Sequence, residues 1–498
     1  MNVNPITRLD YPDPDVIRVE DTYYMVSTTM HFMPGCEILQ SFDLVHWEHV
    51  TYVYETLDHT DAQQLKSGHN IYGQGMWAAS LRYHEGRFYI CFVANDTRKT
   101  YLYTSEKIDG PWKKQLIEGF YHDGSLLFDE DGRNYIVYGN DEIWITELNE
   151  DLTAPKKDGL HRLLVSDHKN PELGYEGSHI QKINGYYYIF LVHSLRDRWM
   201  RTEACFYSDS LEGEFTGGDV LCDDRGYCGQ GVAQGGIVDT PDGKWYAMLF
   251  QDSGAVGRIP ILLPVTWKDH FPVFGQNGHV QEEIEVHSTR PGYIYQPLVG
   301  SDDFCNGLLP RWQFNHDPDP RYYHLDALQG TYTITTREVC TELTQAVNTL
   351  TQRMSYPSCA AEVTVDASAL KEGDVAGLCA LQGCYAAVGI TKHHGKYEVL
   401  MLDKKEDGIL DMTEGTVVES HQMDFRLEAD FCNMKDEARC YYRVNKGDWL
   451  PIGTVHKLYF KLDHFTGCRF GLFCYAAEET GGSACFRDFK YYDVDEIS

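Results

Sequence analysis

The chain has 498 residues and a mass of 57.1 kDa, more than one ordinary hydrophobic core accommodates, so two domains are expected. Its 75 acidic against 43 basic side chains give a net charge of −32, which argues against nucleic acid or an anionic membrane as a partner, because both are held by clustered Lys and Arg. A neutral or cationic ligand stays admissible, and an aromatic content of 13% suits β-sheets and sugar-stacking surfaces alike.

The amino-terminal MNVNPITRLDYPDPD has no basic stretch followed by an apolar one, so no secretory signal is expected. Five segments then repeat one pattern of apolar strand, polar turn and aromatic strand. They open at Asp15 (DVIRVEDTYYMVS), Ser80 (SLRYHEGRFYICF), Ser125 (SLLFDEDGRNYIVY), Ser178 (SHIQKINGYYYIF) and Gly236 (GIVDTPDGKWYAML). Glu85-Gly86, Asp131-Gly132, Asn184-Gly185 and Asp242-Gly243 supply the positive φ angles of two-residue hairpins, with Glu20-Asp21 a weaker version. The intervals of 65, 45, 53 and 58 residues match propeller blades of four strands, and residues 1–295 are read as a five-bladed β-propeller.

Two places before the five openings stand Asp13, Ala78, Asp123, Glu176 and Gln234. A propeller brings equivalent positions together at one end of its axis, so three carboxylates are expected to converge. A single loop Asp ordinarily caps a turn. Three acids gathered in one cavity are costly to bury unless their shifted pKa values are used.

Beyond the linker-like Arg290 to Gly300, the repeat stops and short alternating strands such as AAEVTV, YAAVGIT, KYEVLML and CRFGLFCYA follow. They predict a β-sandwich over 301–498, serving as a sugar-binding module, a self-association surface or a lid, with one loop expected to reach the active site. The longest apolar runs, such as YYYIFLV at 186–192, have strand length and are too short to cross a bilayer. The 15 cysteines form no CxxC pair and fall mostly within strand-like runs, which fits a reduced, cytoplasmic interior.

No G-x-S-x-G elbow, HExxH or Walker A loop is present, and GQGVAQGG at 229–236 misses the dinucleotide pattern at Gln234. What is left is carboxylate chemistry, and glycosidic cleavage needs it most directly: one acid protonates the leaving oxygen while a carboxylate attacks or activates water. The segments YPDPDVIRV, HDGSLLFDEDG and YEGSHIQKINGYYYIF, in that order, resemble glycoside hydrolase family 43. The carboxy-terminal half resembles the concanavalin A-like jelly roll attached to its β-xylosidase members.

The resemblance implies an all-β fold and an inverting enzyme with Asp13 as general base, Glu176 as general acid and Asp123 as the residue that tunes the acid. An inverting pair is expected to stand roughly 6.5 to 9.5 Å apart. It also implies substrate contacts from Phe32 in HFMPG, Trp77 in MWAAS and Arg258 in GAVGR. Many members carry a histidine at the fifth axial position, beside a channel calcium. Gln234 stands there instead, which argues against calcium and leaves a water or sodium ion for the channel, with no cofactor required. The implied activity is removal of terminal β-D-xylose or α-L-arabinofuranose from xylan, arabinoxylan or arabinan oligosaccharides, by a monomer or a homo-oligomer. The alternatives are an endo-arabinanase, a non-catalytic sugar-binding propeller and a scaffold; a retaining fructosidase lacks its Asn-Asp-Pro-Asn entry here.

Overall fold

The computed structural model describes residues 2–413 and 415–493; residues 1 and 494–498, which the expected domains include, lie outside the described residues. The described chain is all-β, and its first half forms five consecutive four-stranded antiparallel sheets. Their innermost strands are Asp15–Val19, Met76–His84, Ser125–Phe128, Glu176–Ile183 and Ala233–Asp239. A separate apolar cluster fills each gap between neighbouring blades. Ile38 and Val53 meet Leu81 and Ile90, and Cys91 and Leu102 meet Leu126 and Ile136. Val137 and Ile143 meet Ile180 and Ile189, Tyr188 and Phe190 meet Ile237 and Leu249, and Val238 and Met248 meet Val16 and Met25. The fifth contact closes the ring. Strand Asn2–Val3 pairs with Glu283–Ile284, and the Asn4 amide donates to the Leu262 and Gln281 carbonyls, tying the start of the propeller to its end.

Hydrogen bonds between inner strands fix the axial register. Leu81 N donates to Asp15 Oδ2, Leu126 N to Ser80 Oγ and Ile180 N to Ser125 Oγ, so Asp15, Ser80, Ser125 and His179 are equivalent. Gly236 packs against His179 as the fifth member. A β-bulge enters the inner strand of blades two, four and five, between Trp77/Ser80, Glu176/His179 and Ala233/Gly236. This corrects the expected alignment by one residue in blade four. The ring two places before the openings is Asp13, Ala78, Asp123, Gly177 and Gln234, and Glu176 precedes it by one. Asp13 (φ 52°), Asp123 (φ 49°), Gly177 (φ 66°) and Gln234 (φ 65°) share a left-handed backbone, the signature of equivalence.

The turns divide into two kinds. Glu85-Gly86 and Asn184-Gly185 have positive φ at both residues, as a type I′ hairpin needs. Asp131-Gly132 and Asp242-Gly243 instead lie in longer loops, closed by Asp129 N to Arg133 O and by Thr240 N to Lys244 O.

Residues 285–312 run along blade one rather than forming a loose tether: Thr289 Oγ1 donates to Asp21 O, Arg290 pairs with Asp21, and Gln296 N donates to Glu48. The second half packs two antiparallel sheets around one core that includes Trp312, Phe425, Leu427, Phe470, Leu472 and Phe486. The edge of one sheet is a propeller segment. Phe32–Met33 pairs with Gln313–Asn315, so the sheet continues from one half of the molecule into the other. Asp10 reinforces this seam by accepting from Arg258 N and Gly467 N, each at 2.7 Å.

Candidate active site

The inner strands end in a cavity of about 130 Å³, lined by Asp13, Trp77, His122, Asp123, Leu173, Glu176, Arg201, Gln234, Arg258, Leu462 and Phe465. Its floor comes from the axial ring and its remaining wall from the sandwich loop that carries Leu462 and Phe465. Larger grooves open elsewhere, at the far mouth of the propeller and between blades two and three, but neither gathers these groups.

Asp13 is only 3% exposed, held between two prolines at the turn into blade one. Its carboxylate accepts from Thr28 Oγ1 at 2.5 Å and from Arg258 Nη1 at 2.6 Å. Arg258 is fixed in turn by Asp252, whose Oδ1 accepts from Nε at 3.2 Å, and its guanidinium lies 3.7 Å over the Phe465 ring. Burial lowers the Arg258 pKa, but the pairing with Asp13 and Asp252 outweighs it and holds the guanidinium charged.

Asp123 and Glu176 are joined through backbone and side chain. Gly177 N donates to Asp123 Oδ2 at 2.9 Å, so this carboxylate grips the peptide that follows Glu176. The Asn140 amide donates to Glu176 Oε2 at 2.7 Å, and His122 Nε2 lies 3.4 Å from Glu176 and 3.6 Å from Asp123. Burial, then the nearby Glu176 and Asp13 charges, push the Asp123 carboxyl up to about 6 against the pull of His122. The Asp123 charge pulls His122 up to about 9, with burial opposing and Glu176 assisting. Burial also raises Glu176, but the His122 hydrogen bond and charge, followed by Arg201 and Arg258, outweigh it and hold this carboxyl low. The three groups titrate together, and near neutral pH their shared proton rests on the imidazole.

The structure places Trp77 and Arg258 on the cavity wall, Trp77 edge-on to Phe465 at 5.1 Å between ring centroids. Phe32 is elsewhere. It is 2% exposed at the seam, under the Arg469 guanidinium at 3.4 Å, because its strand is claimed by the sandwich sheet; the expectation of a substrate contact is corrected. Phe465 supplies an aromatic wall instead. Sequence reasoning also missed His122, although it adjoins Asp123 in HDGS, and Asn140, Leu173, Arg201 and Leu462, which had no readable signal.

The axial channel fits a calcium ion poorly. Arg82 occupies it below the ring, donating from Nη1 to Asp15 Oδ2 and Leu81 O, from Nη2 to Ser125 Oγ and Ile180 O, and from Nε to Leu126 O. The oxygens a metal would need are taken up by a fixed cation. His122, Asp123 and Glu176 bring one ligand atom each within 4.8 Å of one another. An imidazole that holds a proton near neutral pH is a poor metal ligand, since a metal requires the neutral ring.

Comparison with known proteins agrees on both halves. Residues 3–272 match the model of glycosyl hydrolases family 43, and residues 301–492 match the beta xylosidase C-terminal concanavalin A-like domain. A beta-xylosidase of Formosa agariphila is 27% identical, the match covering 99% of this chain and 89% of that protein. The solved structure of a bifunctional GH43-CE protein of Bacteroides eggerthii is 42% identical with a TM-score of 0.91, covering all of this chain but 64% of that one, so the chain spans less than two thirds of its length. An engineered GH43 glycoside hydrolase described as displaying both endo-xylanase and exo-arabinofuranosidase activity is 28% identical, with a TM-score of 0.87 and 99% of each chain covered.

Proposed function

The chain belongs to glycosyl hydrolases family 43, and on that premise we propose that it removes single terminal pentoses, β-D-xylose or α-L-arabinofuranose, from plant-derived oligosaccharides with inversion at the anomeric carbon. The observation that carries this reading is the one-ring cavity with three carboxylates at its floor and the sandwich loop across its side. A chain-internal cut needs an open cleft that lets polymer run through; a pocket walled by Leu462 and Phe465 favours chain ends. The names of the similar proteins, a beta-xylosidase and an enzyme with exo-arabinofuranosidase activity, support these two sugars.

In this reading Asp13, paired with Arg258 and oriented by Thr28, takes a proton from water as the oxygen attacks the anomeric carbon. Glu176 protonates the departing oxygen. Its proton is supplied by the coupled set with His122, and a bound sugar that excludes water raises its affinity for that proton. Asp123 orients the acid through Gly177 N and, by its charge, keeps His122 protonated beside it. Trp77 and Phe465 offer apolar faces to the sugar ring. The residues supply acid, base and counter-charge themselves, so no cofactor is required. The 15 free cysteines, ten of them buried, support action on imported oligosaccharides in a reducing compartment.

Nitrophenyl β-D-xyloside and α-L-arabinofuranoside, assayed side by side, test the reading. Turnover of at least one is expected. Tight binding of either monosaccharide with no hydrolysis of either glycoside would point to a sugar-binding propeller instead.

A further inference from the structure

Arg201 opens the third strand of blade four, Arg201–Ser208, and is 2% exposed. Its Nε donates to Asp252 Oδ2 at 3.0 Å, the same carboxylate whose other oxygen holds Arg258. Among the described residues this is the side chain's only hydrogen bond. Nη1 is buried without a partner, although the side chain stands on the cavity wall, clamped by the Trp199 and Phe250 rings at 5.1 and 5.2 Å. Leaving donors of a buried guanidinium unpaired is costly, and a position fixed by Asp252 and two rings is not one the side chain leaves easily. The cost is recovered when a ligand supplies the acceptors.

We infer that Arg201 is a second sugar-recognising arginine, whose terminal nitrogens donate to a pair of neighbouring hydroxyls on the monosaccharide held in the cavity. Two nitrogens of one planar fork match two oxygens on adjacent carbons. A substrate carboxylate matches less well, because Asp13, Asp123, Glu176 and Asp252 crowd the same space and repel it. Arg258 gives Nη1 to Asp13 and Nε to Asp252 and keeps only Nη2. Neither terminal nitrogen of Arg201 has a hydrogen-bond partner among the described residues, so Arg201 reads which pair of hydroxyls the sugar presents. This inference rests on the exo-glycosidase reading of the pocket.

The test compares wild type with Arg201→Met and Arg201→Lys, the second retaining the charge beside Asp252 without the fork. Substrates are the nitrophenyl pentoside that wild type prefers and its 2-deoxy and 3-deoxy analogues. Both variants are expected to lose kcat/KM on the order of 10²-fold on the parent glycoside. On the analogue that lacks the recognised hydroxyl, wild type should lose a similar factor and the variants little more. Equal losses on parent and both analogues would overturn the inference, as would an Arg201→Lys enzyme with wild-type kcat/KM. Calorimetric titration with free xylose and arabinose separates this from failure of the catalytic reading. Should wild type hydrolyse nothing, a large drop in monosaccharide affinity in both variants still supports the inference. Unchanged affinity, or no monosaccharide binding to wild type, overturns it.

Discussion

Asp13 and Glu176 differ in what surrounds them, and that difference assigns their work. Asp13 faces a fixed guanidinium; Glu176 shares a proton with His122 and Asp123. Asp13→Asn or Glu176→Gln is therefore expected to lower turnover on the order of 10²- to 10⁴-fold on substrates with poor leaving groups. The Glu176 variant should recover on an activated aryl leaving group that needs no proton, whereas the Asp13 variant should not; steady-state kinetics on paired substrates decides. His122→Asn removes the group on which the shared proton rests near neutral pH, so the alkaline limb of the kcat/KM profile should move to lower pH. A limb that stays in place would remove His122 from the acid's environment. The three carboxylates were legible because their motif segments could be read from sequence. Arg201 and Phe465 were not, since an isolated Arg or Phe carries no pattern and only the fold brings residue 465 next to residue 13.

At the level of elements, the repeat and its turns were readable while the length of each hairpin loop was not. The bulge is the same in blades two, four and five, but the first hairpin is not: blade four has the tight turn of blade two rather than the longer loops of blades three and five. Aligning on Asn184-Gly185 therefore slipped blade four by one and set Glu176 in the ring where Gly177 belongs. Gly177 has φ 66°, and a Cβ there would come within 2.7 Å of Gln234 Cγ. Gly177→Ala should thus disturb the peptide that Asp123 grips, lowering kcat at least tenfold and stability by about 1–3 kcal/mol, as denaturant unfolding would report. Phe32 illustrates the converse. Its aromatic character was visible, but the strand it forms is completed by residues 313–315, almost 300 positions away, and no local pattern encodes such a pairing. The loop bearing Leu462 and Phe465 completes the pocket from the other half of the chain, so a propeller produced without the sandwich should be inactive on every pentoside even where it stays soluble.

Across the whole molecule, the seam between the halves carries a buried cluster of His31, His316 and His464, with ring centroids 4.8 and 5.2 Å from His31 to the other two. Burial drives His31 far below its ordinary value, His316 down to about 3 and His464 to about 4, so the folded protein keeps them neutral. In the unfolded chain they protonate near 6.5. Their stabilisation is present above that pH and is lost as pH falls toward 4, because unfolding then takes up protons. Asp10, Asp123, Asp374 and Asp436, raised to about 6 by burial, and Glu203, raised further, act in the opposite sense by favouring the folded state more at low pH, so the histidine contribution is isolated by substitution. Relative to wild type, His316→Asn with His464→Gln should gain melting temperature as pH drops from 6.5 to 4; an unchanged difference between the two proteins across that range would locate acid sensitivity elsewhere. The proposed reaction is likewise a property of the assembled molecule, since Asp13, Glu176, both arginines and the sandwich loop line one cavity. Proton NMR of the first-formed product from an aryl pentoside tests it most directly. The account predicts that the anomer opposite to the substrate's appears first, α-xylose from a β-xyloside, and then mutarotates. First appearance of the anomer that retains the substrate's configuration would contradict it.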